Sequence, residues 1–140
     1  MTSTPYVVPQ RLALGLTIVR IIVGIVFIAH GAQKLFVFGI HGVTGGFSQM
    51  GVPLPSITAP LIAILEFVGG IGLVLGLLTR VFAALLAVEM LGAIALVHLR
   101  NGFFLPTGFE FAFTLLGACV ALAVAGPGEY AIDARRRGSV

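Results

Sequence analysis

The sequence predicts an all-α membrane protein: a four-helix transmembrane bundle of up-down topology, in a single domain over residues 1–140. Three observations predict it. Residues of the AVILMFWYC set make up 59% of the chain and charged residues 9%, with a mean hydropathy of +1.14. A soluble domain is nearer half apolar and a quarter charged, so this chain has too few polar side chains to wet a soluble surface. A spanning helix needs about 20 mostly apolar residues, and four windows qualify, at about 12–34, 57–78, 81–99 and 109–126. The links between the last three are short, which makes consecutive spans antiparallel neighbours.

The first window is too long for a cleaved signal peptide and carries an arginine at its centre, which such segments lack. Pro53 and Pro55 precede the second window, and Thr79-Arg80 separates the second from the third. "RNGFFLPTG" divides the third from the fourth, and "GPG" at 126–128 stops the last, the punctuation expected of helix ends. The longest connection, "FVFGIHGVTGGFSQMGVPLP", holds five glycines among apolar residues. It reads equally as a short interfacial lid or as a plain flexible loop.

Arginine and lysine set the expected orientation. Arg11, Arg80, Arg135, Arg136 and Arg137 share one face, and only Lys34 and Arg100 fall on the other. Positive flanks stay in the cytoplasm, so both termini are expected there, with the chain multi-pass in the cell inner membrane. The C-terminal arginines read as a lipid-flanking anchor, and no nucleic-acid partner is expected.

Arg20, Glu66 and Glu89 lie about eight to ten residues inside their windows, some 12 to 15 Å deep at 1.5 Å per residue. An isolated charge there costs about 2.5 to 3.5 kcal/mol. The three are therefore expected to face one another as a buried charge cluster. Gly24, Gly69, Gly70 and Gly92 stand at i+3 or i+4 from these charges, on the same helical faces, and read as helix-packing positions. One arginine cannot neutralise two carboxylates, so one glutamate would hold a proton or meet another cation. The competing reading is that the three only lock helices together.

A second polar layer is expected at the outer mouth: His30 and Lys34 end the first span, His98 ends the third, and Glu110 begins the fourth. At 100° per residue, Arg20, His30 and Lys34 fall within an arc of about 80°. Lys34 and His30 also read as interfacial anchors with their polar ends in water. Glu89 and His98 come out about 180° apart on one helix, so both point inward only if that helix deforms. His30 and His98 suggest an axial haem pair, but two histidines without an attachment motif are a poor basis for haem. Cys119 stands alone, which excludes an internal disulfide and C-x-x-C chemistry. No metal-ligand cluster is present, and "GGIGLVLG" lies inside a span, where it is a packing surface rather than a nucleotide loop.

Several segments, taken in order, carry a resemblance: "AHGAQKLF", "GFSQMGVPLP", "LEFVGGIGLVLGLLTR", "VHLRNGFF" and "AGPGEYAID". On these the chain resembles the DoxX family of small bacterial membrane proteins. The resemblance implies a four-span inner-membrane protein. It also implies a link to thiosulfate:quinone oxidoreductase or to oxidative-stress and thiol-detoxifying enzymes, without a catalytic set to carry over.

Three functions follow as expectations. The first is a membrane subunit supporting a quinone-linked redox or sulfur-metabolism process, with a quinone as the bound carrier. The second is a non-enzymatic anchor that recruits soluble redox, antioxidant or sulfur-transfer enzymes. The third is a small proton-coupled transporter. Beyond the lipid bilayer, both a single bundle and a homo-oligomer are compatible with the sequence.

Overall fold

A computed structural model describes residues 9–137; the residues at either extreme, and the side chain of Arg137, lie outside the described set. Every regular element among the described residues is helical. Helix α1 (Gln10–Ala32) runs into a π-helical turn (Gln33–Phe38), then α2 (Gly39–Gln49), α3 (Pro55–Leu75) and α4 (Thr79–Ala93). Helix α4 continues through a second π segment (Ile94–His98) and a 3-10 turn (Leu99–Asn101), followed by α5 (Glu110–Ala125) and α6 (Ile132–Arg137).

The four apolar windows are the four long helices, with ends shifted by a few residues. Three are long and apolar enough to cross a bilayer, and α5, with 16 residues, is a shorter apolar helix. At 1.5 Å per residue α5 covers about 24 Å, short of a hydrocarbon core of about 30 Å. The long connection is neither bare loop nor simple continuation of α1. Gly39 (φ +68°) ends the π turn and redirects the chain, and α2 then packs against α3.

Two helix pairs make the bundle: α1 lies along α3, and α4 along α5, with lighter α3–α4 and α1–α5 contacts closing the ring. The α1–α3 crossing depends on glycine. A Cβ on Gly24 would stand 2.8 Å from the Gly70 carbonyl oxygen, and one on Gly70 2.7 Å from that of Gly24. No real side chain fits there, so backbone meets backbone, the usual mode of membrane-helix association. Phe27, Leu73, Leu86, Cys119 and Leu122 fill the core, while Ile18, Ile22, Ile25, Leu61 and Val88 face outward. An apolar exterior of this extent suits lipid rather than water.

The start of α1 and the C-terminal segment meet at one end, where Glu129 N–H donates to the Thr17 hydroxyl at 3.1 Å. We call this the termini end and the opposite one the far end.

Candidate functional site: a polar chamber at the far end

Helices α3 and α4 leave the tight α3–α4 turn and part toward the far end, where α2 and the 102–109 loop roof the gap. The space between them is a chamber of about 690 Å³, within the range of about 300–1,000 Å³ usual for ligand pockets. Its wall is mostly apolar, including Phe27, Phe47, Met50, Ile62, Phe111 and Leu115. Five ionisable side chains line it: His30, Lys34, Glu66, Glu89 and His98.

Lys34 does not reach out to the interface. Its Nζ meets Glu66 Oε2 at 2.5 Å, with the lysine side chain 21% exposed and the glutamate 5%. Glu89 on α4, 9% exposed, lines the same chamber as Glu66. The single Lys34 cation cannot neutralise two buried carboxylates, so the two carboxyl groups hold one proton between them. Lys34 and this proton-sharing pair are together neutral, which is the charge state a dry chamber tolerates. Glu89 Oε2 and His30 Nδ1 are buried with no partner among the described residues, an arrangement that native interiors avoid unless something else binds there. His98 Nδ1 lies 3.0 Å from the Thr107 carbonyl oxygen. A carbonyl only accepts, so Nδ1 carries the hydrogen and Nε2 is left with its lone pair.

His98 and Glu89 share the chamber because helix geometry changes along α4. A π turn advances each residue by about 85° instead of 100°. Over Ile94–His98 that brings His98 round toward the Glu89 face. Straight α-helical counting had placed the two on opposite sides.

Arg20 is elsewhere. It is fully buried, but its guanidinium serves backbone carbonyls: Nε donates to Pro127 at 2.9 Å, and Nη2 to Tyr130 at 2.9 Å. Nη1 donates to Leu73 and Val74 in the last turn of α3. Leu73 is seven residues from Glu66, about 10 Å along the helix, so the expected meeting of Arg20 with the glutamates does not occur. The physical reason is satisfiability. Guanidinium carries five N–H donors in a fixed fork, and the orphan carbonyls of a helix C-terminus with two more from the "GPGEY" segment supply matching acceptors.

Asp133 completes this clasp. Its carboxylate accepts from Leu78 N–H at 2.9 Å and Thr79 N–H at 2.8 Å, capping α4 from a distant part of the chain. Partial burial pushes the Asp133 carboxyl up, but the Thr79 and Leu78 N–H groups and the Arg136 charge outweigh it and hold it below its usual value. A lowered folded value means its stabilisation is whole above about pH 4 and fades as pH falls through that lowered value. Asp133→Asn is expected to cost about 1 kcal/mol at pH 7 and to flatten the acid limb of thermal unfolding followed in detergent.

The other expected positions divide as follows. Glu110 Oε1 accepts from Leu105 N–H at 2.8 Å, which orders the 102–109 loop from outside the chamber wall. Gly24 and Gly70 form the helix crossing, and Gly69 faces the Phe82 and Leu86 side chains. At Gly92 a Cβ would meet nothing within 4 Å among the described residues, and the residue borders the chamber. Sequence reasoning did not single out Gly31, whose Cα lies against the Phe67 backbone, although its i+7 spacing from Gly24 was the available signal.

Comparison with known proteins agrees with this architecture. The DoxX family model matches residues 15–99. An uncharacterized membrane protein of Mycobacterium tuberculosis is 35% identical over 84% of this chain and 78% of its own. "Putative oxidoreductase CatD" of Bacillus subtilis is 36% identical over 86% and 85%, and inner membrane protein YqjF of Escherichia coli 34% over 85% and 89%. No solved structure matches the chain.

Proposed function

The chain belongs to the DoxX family of membrane proteins, and from that premise we propose that it is a membrane subunit of a quinone-linked redox process, with the far-end chamber holding the quinone head group. The carrying observation is the Glu89 carboxyl, buried beside the Lys34–Glu66 pair with an oxygen that no donor among the described residues reaches. Such an oxygen in a mostly apolar cavity fits a ligand that is mostly hydrocarbon with a few polar atoms. A quinone ring has that chemistry, and it reaches the site through the bilayer. When bound it would supply the electron-carrying function that the protein's own side chains lack. The oxidoreductase designation of the Bacillus subtilis relative points the same way.

The residues present fit the group. Lys34 retains N–H donors beyond the one on Glu66 and can hold a carbonyl oxygen. Glu89 and His98 can exchange protons with ring oxygens, and the aromatic side chains of Phe27 and Phe111 flank a planar ring. By the arginine bias the far end faces away from the cytoplasm, so proton exchange would occur on that side.

Gly92→Phe tests this without disturbing helix packing, because the new ring enters open space bordering the chamber. Purified wild-type protein is expected to retain quinone through extraction from native membranes. The variant is expected to lose at least 90% of it (a ~1.4 kcal/mol tenfold loss of affinity) with unchanged thermal unfolding. Equal quinone content in the two would count against the reading.

A further inference from the structure

The hydrogen-bonding inventory of the chamber is one-sided. Lys34 is its evident donor, and one of its hydrogens is committed to Glu66. Two acceptors remain open, beside His30 Nδ1, which has no partner among the described residues and donates or accepts according to its tautomer. Glu89 Oε2 is buried, and among the described residues no N–H donates to it. His98 is fixed by the Thr107 carbonyl with its Nε2 lone pair free. An oxidised quinone has only acceptor oxygens, so it can use Lys34 but leaves Glu89 and His98 facing its lone pairs. A hydroquinone carries two ring hydroxyls, each with one hydrogen to donate and lone pairs to accept, and together they answer all three.

Resting on the quinone reading above, we propose that the chamber is a hydroquinone site: it selects the reduced, hydroxyl-bearing ring over the oxidised one through Glu89 and His98. A site built to hydrogen-bond a hydroxyl discriminates strongly against the analogue that lacks it, because its buried polar atoms are left unpaired. By linkage, tighter binding of the reduced form draws the bound couple toward reduction. A tenfold preference corresponds to about 30 mV of upward shift for a two-electron couple. The chamber thereby makes the carrier a better electron acceptor than it is in free lipid.

Duroquinone and durohydroquinone, differing only in oxidation state, are the probes. Their affinities are measured anaerobically by equilibrium dialysis against the full chain in nanodiscs, with protein-free nanodiscs as the blank. Durohydroquinone is expected to bind at least tenfold more tightly. Glu89→Gln replaces an acceptor oxygen by a group that can donate, and should bring the ratio of affinities near one. Should that variant not fold, His98→Leu carries the same test, because it removes the second acceptor without touching the ion pair; a several-fold drop in the ratio is expected. Equal affinities, or tighter duroquinone, would overturn the hydroquinone preference and leave the chamber reading in place, as would an unchanged ratio in a folded variant. Failure of both probes to bind would overturn both.

Discussion

Replacing Arg20 by methionine is expected to unfold the termini end at a cost of at least about 4 kcal/mol, since hydrogen bonds to a charged group contribute roughly 1.5 to 3 kcal/mol each. The loss would not be confined to the arginine. Carbonyls of Leu73, Val74, Pro127 and Tyr130 would lose their donor together, and the C-terminal segment would lose its hold on α3. Arg20→Lys should recover only part of this, because an ammonium presents three donors from one point where the guanidinium presents a fork. Thermal unfolding in detergent, with trypsin cleavage at Arg135 and Arg136 as a local readout, checks it. A second change, Glu66→Gln, should not rescue Arg20→Met, because the two side chains belong to different clusters.

Lys34→Met is expected to be nearly as damaging for a different reason. It leaves the buried, proton-sharing glutamate pair with an uncompensated negative charge, and removing one partner of a buried pair costs about 3 to 5 kcal/mol. Here rescue is expected. Lys34→Met combined with Glu66→Gln should regain most of the stability, giving a coupling energy of at least about 2 kcal/mol in a double-mutant cycle. Additive losses would mean that the 2.5 Å contact carries no energetic weight. Taken together, the two cycles separate the clusters: Glu66 couples to Lys34 and not to Arg20.

The same geometry bears on the anchor reading. Deleting the tail from Gly126 onward removes the carbonyls of Pro127 and Tyr130 along with Asp133. Such a deletion destabilises the bundle itself, so loss of a partner enzyme in that variant is no measure of recruitment.

Much of the fold was legible because lipid imposes a coarse rule: backbone groups must be satisfied within the segment, and apolar length reports the span. The four long helices follow from that rule. Helix α2 escaped it because its five-glycine neighbourhood has poor helix propensity, and packing against α3 decides its state. The candidate site was legible in part. Glu66, Glu89, His30, Lys34 and His98 were singled out, but their grouping depended on facts that sequence spacing does not carry. Position within an apolar window was taken as depth, yet Arg20 sits level with the end of α3, where the C-terminal segment folds back onto α1. Helical counting at 100° per residue failed for His98 because a π segment intervenes, and π segments leave no clear mark in composition.

Photolabelling with an azido-substituted quinone, followed by peptide mapping, tests the far-end chamber most directly. Label is expected on chamber-wall residues such as Met50, Leu96 and Phe111, and to vanish when excess durohydroquinone competes. Label concentrated at the termini end, around Leu12 or Val124, or spread evenly over the lipid-facing surface without competition, would contradict the account.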